Sequence, residues 1–414
     1  MVPKLRFPEF QDAPAWKPVS LRKASVPVDE RVGERKLTPV SISAGIGFVP
    51  QAEKFGRDIS GNQYQLYTLV RDGDFVFNKG NSLKFPQGCI YLLEGWGEVA
   101  APNVFIAFRL KDNYSNGFFQ NCFEQNQHGK QLKRHITSGA RSNGLLNISK
   151  ETFFGVEIPT PSLPEQQKIA DCLASADALI EEQGRKVEAL KIHKKGLMQQ
   201  LFPQEGETQP RLRFPEFEGM GEWEEVRLNS LGDLVSGLTY SPRDVREEGL
   251  LVLRSSNIQG GKIDLTDCVY VDPNIRGANL SQPNDILVCV RNGSTALIGK
   301  TALIPNEMPL CTHGAFMTVF RSHTPKFVFQ LFQTSRYQKQ VAGDLGATIN
   351  SINGAQFLRY KFFVPKPPEQ QRIAECLTSL DNLIAAATRK LNTLKTHKKG
   401  LMQQLFPQIG EGDA

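Results

Sequence analysis

Two stretches of this 414-residue chain close an apolar, strand-like run with a cluster of hydrogen-bonding side chains. The first is DGDFVFNKGNS at residues 72–82, where Lys79, Asn81, Ser82 and then Lys84 follow the run. The second is PNDILVCVRNGS at 283–294, which ends in Arg291, Asn292 and Ser294. On a loop beyond a strand, such groups can approach phosphates and base edges. An arginine fork matches guanine and an asparagine amide matches adenine. The same residue types also build ordinary hairpin turns, because Asn, Gly and Ser satisfy their own backbone. Three further sets share the chemistry: Arg254, Ser255 and Asn257 in LRSSNIQGG; Arg141, Ser142 and Asn143 in GARSNGLLN; and Thr348, Asn350 and Asn353 in GATINSING. The last two stand in matching places, shortly before a block that occurs twice. That favours a shared role over a capped turn, without excluding the turn.

Other motifs fail in detail. GSTALIGKT at 293–301 approaches a phosphate-binding loop, but five residues separate its glycines and a strand-like TALIPNE follows Lys300. GIG at 45–47 lacks the third glycine of a dinucleotide fingerprint. There is no HExxH, and no Asn-Pro-Pro-aromatic tetrapeptide to hold a flipped base. The seven cysteines are odd in number and form no CxxC, so buried thiols are expected rather than disulfides or zinc. We expect no catalytic residue, metal ligand or cofactor site. The net charge of +6 is compatible with an acidic partner without requiring one. No apolar run reaches the roughly 18 residues of a membrane span and the N-terminus is no signal peptide, so a cytoplasmic protein is expected.

The elements that must position these loops are written twice. LRFPEF occurs at Leu5 and again at Leu212, followed by Trp16 and Trp223 at matching places. Residues 164–204 and 368–408 are identical at 28 of 41 positions, from PEQQ to HKKGLMQQLFPQ. The segments between, about 22–158 and 229–364, are unlike each other in sequence and strand-rich. Ile169, Leu173, Ala176, Ile180, Val187, Leu190, Leu197 and Leu201 form a heptad seam, with Gln183 and Lys194 in its polar slots. The second copy has Lys398 in the corresponding slot. Each block predicts a helix of roughly 38 residues, about 57 Å long, entered at Pro164 or Pro368 and stopped at Pro203 or Pro407. The repeat predicts that the two run antiparallel and that the two ends of the chain lie together. The identity of HKKGLMQQLFPQ exceeds what a seam needs. It suggests a surface for two copies of one partner, with His193, Lys194, Lys195, His397, Lys398 and Lys399 as its candidates.

PEQQ(K/R)IA(D/E)CL, a long heptad helix ending HKKGLMQQLFPQ, and the lead-in LRFPEF, all present twice around two unlike segments, resemble the specificity subunit of type I restriction-modification systems. The resemblance spans the whole chain. It implies an α+β fold: two α/β target recognition domains separated by two long antiparallel coiled-coil helices, in a pseudo-twofold tandem repeat. The expected division is 1–158, first recognition domain; 159–204, helix; 205–228, linker and lead-in; 229–364, second recognition domain; 365–408, helix; 409–414, tail. It implies that each domain reads one half of a split site in double-stranded DNA. The helices would set the gap and dock two modification (methyltransferase) subunits, which restriction subunits join. Methyl transfer from S-adenosylmethionine to adenine N6 would belong to the modification subunits. The competing readings are an enzyme complete in one chain, which the missing motifs disfavour, and a coiled-coil adaptor that binds proteins alone.

Overall fold

The computed structural model of the chain describes residues 1–80, 85–136, 146–345 and 350–407. It divides into two compact units, Met1–Gly184 with Lys390–Ala414, and Arg185–Arg389. The division falls inside both long helices, Leu163–Leu201 and Pro367–Leu405. Each unit therefore holds the first part of one long helix and the last part of the other. Among the described residues no helix is long and apolar enough to cross a membrane.

In the first unit the lead-in strand Lys17–Ser20 pairs antiparallel with Glu157–Thr160, the strand that feeds the first long helix. A four-stranded antiparallel sheet follows, in the order Ser25–Pro27, Ile106–Leu110, Asp74–Asn78, Cys89–Leu92. A second sheet, in the order Gly47–Pro50, Thr38–Ser43, Glu98–Ala101, Thr68–Arg71, contains one parallel pairing. The second unit repeats this plan. Glu224–Arg227 pairs with Lys361–Val364. Its antiparallel sheet runs Gly232–Ser236, Met317–Ser322, Ile286–Cys289, Thr301–Leu303. Its second sheet runs Val245–Arg246, Tyr270–Val271, Leu250–Leu253, Cys311–His313, again with one parallel pairing. In the second sheet the parallel pairing is central in the first unit and at the edge in the second. Two segments with little sequence in common nevertheless share the ribbon and the antiparallel sheet.

The repeated motifs explain why. In the first unit Glu165, at the start of the long helix, is buried and accepts two bonds from the Arg6 guanidinium at 2.7 Å, and one from the Trp16 indole at 3.1 Å. In the second, Glu369 accepts from Arg213 at 2.9 and 2.6 Å. The next residue is also buried and also repeats its bonds. Gln166 accepts from Ser115 N and donates to Pro161 O, while Gln370 accepts from the Thr324 hydroxyl and donates to Pro365 O. PEQQ is therefore a clamp that fastens lead-in, ribbon and helix to the sheet.

The far end of each helix repeat is buried too. Leu405 and Phe406 complete the first core, with Phe406 against Trp16 and Phe118. Leu201 and Phe202 complete the second, with Phe202 against Trp223 and Phe327. Leu5 N donates to Gln404 O, and Leu212 N to Gln200 O. The chain's beginning is thus hydrogen-bonded to the last turn of its final helix. Within each unit the start of one helix lies beside the end of the other, so they run antiparallel.

The polar seam slots make reciprocal pairs. Lys194 Nζ meets Asp381 at 2.7 Å in the second unit, and Lys398 Nζ meets Asp177 at 2.7 Å in the first. Asp177 is half exposed, so such a pair contributes at most about 1 kcal/mol. Its main effect is to fix the register of the seam.

The buried Arg–Glu clamp should weigh more. Glu165→Ala strands a guanidinium that is only 7% exposed and should cost about 3 kcal/mol. Lys398→Ala should cost under about 1 kcal/mol. Urea unfolding of the two variants tests this; equal losses would contradict the ranking.

Candidate nucleic-acid interface

The two polar-ended runs singled out in the sequence occupy one place in the two sheets. Asp74–Asn78 and Ile286–Cys289 are the equivalent inner strands, each flanked by the equivalent neighbours. A shared turn sets their register. Gly73 and Asn284 both take positive φ, 91° and 67°. The aspartate that follows is buried in each case. Asp74 accepts from Arg71 N, and Asp285 from Gln282 N. Each then receives a bidentate arginine from the adjacent strand: Arg109 at 2.6 and 3.1 Å, Arg321 at 2.9 and 2.8 Å. The hydrogen bonds to the buried carboxylate raise the pKa of each arginine above its ordinary value, so both guanidinium groups stay charged. A charge-assisted bond at one end of the strand fixes what emerges from the other.

In the second unit the emerging loop is well defined. Arg291 forms a bridge to Ser351, and Ile352 N donates to Val290 O. Asn292 N donates to Asn350 O, and the Asn350 amide donates to Gly293 O. Asn292 Oδ1 accepts from Ser294 N at 2.9 Å, and its Nδ2 donates to the Ser255 hydroxyl at 2.9 Å. The structure therefore brings Arg291, Asn292, Ser294, Asn350 and Ser255 into one surface patch, although they come from three separate stretches of sequence. Arg291 is exposed, makes no ion pair with any described residue, and lies 5.9 Å from the Phe316 ring centre. Asn292 keeps one amide proton and one carbonyl lone pair, the two groups an adenine edge requires.

Arg254 is half-buried and paired with Asp267 at 2.7 Å, so its charge is largely answered within the unit. Asn257 needs a correction. It is fully buried, accepts from Arg254 N and donates to the carbonyls of Asp264 and Asp267. Asn257 builds the turn that presents Ser255; it offers nothing to an outside ligand. Asn353 caps the short helix Gly354–Phe357 by accepting from Ala355 N.

In the first unit, Lys79 is half-buried at the equivalent strand end, and its carbonyl accepts from Leu146 N as Val290 O does from Ile352 N. Asn78 turns back, donating to Ile42 O and accepting from Gly80 N. Asn81, Ser82, Lys84, Arg141, Ser142, Asn143 and Thr348 lie outside the described residues.

The GSTALIGKT stretch forms a short turn and then a strand, Thr301–Leu303. Burial pushes the Cys289 thiol up to about 11, so it is protonated at neutral pH and packs as an apolar group. On the long helices, His193, Lys195, His397 and Lys399 are exposed, whereas Lys194 and Lys398 are turned into the aspartate pairs described above.

The model of a family described as "Type I restriction modification DNA specificity domain" matches residues 62–191 and 220–396. The chain belongs to this type I DNA specificity family. Among type I relatives, the MjaVIII specificity subunit of Methanocaldococcus jannaschii is 26% identical over 286 residues, covering 67% of each chain. The EcoKI specificity subunit of Escherichia coli K12 is 31% identical over 175 residues, covering 39% of this chain and 36% of that one. The crystal structure of a type I restriction-modification S subunit from M. genitalium superposes with a TM-score of 0.63 at 16% identity, over 99% of this chain and 100% of that one. The two matched regions of the type I specificity family each contain one of the paired inner strands.

Asn257 and Asn292 should therefore separate cleanly. Asn257→Ala leaves buried backbone groups unpaired and should lower stability by about 1–3 kcal/mol. Asn292→Ala should change thermal stability little and weaken binding to duplex DNA. Melting curves that rank the two the other way would remove Asn292 from the interface.

Proposed function

We propose that this chain is the sequence-reading subunit of a type I restriction-modification complex, with one half of a bipartite, asymmetric DNA target read by each unit. The first recognition domain lies within residues 1–158 and the second within 229–364. The observation that carries this reading is the pairing of a common framework with unlike loops. The Asp74–Arg109 and Asp285–Arg321 pairs hold the same strand in the same place. What leaves that strand is Lys-Gly-Asn-Ser in one unit and Val-Arg-Asn-Gly-Ser in the other. A device that read one sequence twice would have no use for the difference. Arg291 and Asn292 of the second unit favour guanine and adenine edges, and Ser255, Ser294 and Asn350 add donors to bases or phosphates.

In this reading the chain carries no catalytic group, metal or cofactor. Two modification subunits dock on it and supply S-adenosylmethionine-dependent methylation of adenine N6, and restriction subunits join through them. Two features support two equivalent docking places. His193 with Lys195, and His397 with Lys399, are exposed at matching points of an identical segment. Beside them, Gly196 and Gly400 sit within helices, where a Cβ would meet nothing within 4 Å. A helical glycine costs about 1 kcal/mol relative to alanine. With no neighbour among the described residues to require it, close approach by an outside surface accounts for it in both copies.

Exchange of residues 22–158 for the corresponding segment of another specificity subunit tests the division of labour. Methylation mapping should show one half of the modified motif replaced and the other half and the gap unchanged. A change in both halves would show that the units do not read independently.

A further inference from the structure

We propose that Phe316 is a specificity-determining residue of the second unit, and that its ring reads the methyl group of a thymine in that unit's half-site. The inference rests on the DNA-reading function proposed above and adds a kind of contact that function does not specify. In the major groove thymine is distinguished by its methyl group, which only an apolar surface can reward. The polar patch of Arg291, Asn292, Ser294, Asn350 and Ser255 holds no such surface of its own.

Phe316 supplies it. The ring is 58% exposed. Its backbone is nevertheless held firmly: Phe316 O accepts from both Val290 N and Arg291 N, Ala315 N donates to Leu238 O, and Met317 N donates to Gly314 O. The side chain is therefore presented by a rigid turn, which keeps down the entropy lost on contact. Among the exposed large apolar residues of this unit, Phe316 and Val245 line a cavity of about 650 Å³ that also carries Arg254 and Ser255. Phe316 also has a guanidinium over its ring, that of Arg291, 5.9 Å from the ring centre. The apolar reader and a cation with no ion pair among the described residues are thus neighbours, and the occupant they suit together is the edge and backbone of a duplex rather than an apolar protein face. Leu238, Val269 and Met317 extend the apolar wall behind the ring, where a methyl group can be removed from water.

The test uses the chain assembled with its modification subunits and duplexes carrying the mapped target, with each thymine of the second half-site replaced in turn by deoxyuridine, which lacks only the methyl group. With the unaltered protein, one position should weaken binding about fourfold, the weight of one buried methyl. With Phe316→Ala that position should become insensitive to the replacement, while the thymine duplex binds about as weakly as the deoxyuridine one. Phe316→Leu should keep part of the discrimination. A general loss of affinity in Phe316→Ala without position dependence, or a deoxyuridine effect that survives the substitution, overturns the assignment. Absence of any sequence-specific binding by the unaltered complex overturns the DNA-reading function together with it.

Discussion

A carboxylate buried in the first turn of each long helix is the contact on which the rest of the structure depends. Glu165 and Glu369 are almost fully removed from water, which is tolerable only because Arg6 and Arg213 meet them with two bonds each. Those arginines belong to the lead-ins, and the lead-ins are hydrogen-bonded to the last turn of the other helix through Leu5 and Leu212. Helix start, helix end, lead-in strand and sheet are thereby tied at one point in each unit. The loops beyond the inner strands inherit their positions from this arrangement.

The second layer of control is the Asp–Arg pair inside each sheet. It fixes the strand without dictating the residues that follow, so the strand end can vary in sequence while its geometry is kept. That separation between a fixed frame and a variable surface is what the proposed reading of two different half-sites requires of one architecture. The Lys–Asp pairs of the seam serve a different end. Their lysines are mostly buried but their aspartates keep about a third to a half of their surface in water, which limits what the pairs contribute. The pairs select one antiparallel register among several that a heptad seam would allow.

The long helices, their ends and their repeat were legible in the sequence because a heptad leaves a periodic mark and a duplicated block marks itself. Lys194 and Lys398 could be assigned to polar seam slots, but their partners Asp177 and Asp381 could not, since a cross-helix partner has no local signature. The same holds for Asp74 with Arg109 and Asp285 with Arg321, each pair set by strand register rather than spacing. Asn257 had the right chemistry for a base contact and the wrong surroundings. An asparagine that completes a turn looks the same in sequence as one that faces solvent. Phe316 stood at the head of an apolar run and reads as strand interior; only the fold shows that the strand begins at Met317 and leaves the ring outside. The identity of LMQQLFPQ suggested a partner surface, yet much of it is explained by burial of Leu405 and Phe406, and of Leu201 and Phe202, in the cores.

The most direct measurement of the central claim is methylome sequencing of cells that express this chain with its cognate modification subunit, compared with cells that lack the chain. Two unlike reading units on one frame predict a split, asymmetric motif with methylated adenines in both halves and a fixed gap between them. A continuous or palindromic motif, or no new methylation from a complex shown to assemble, would contradict the account.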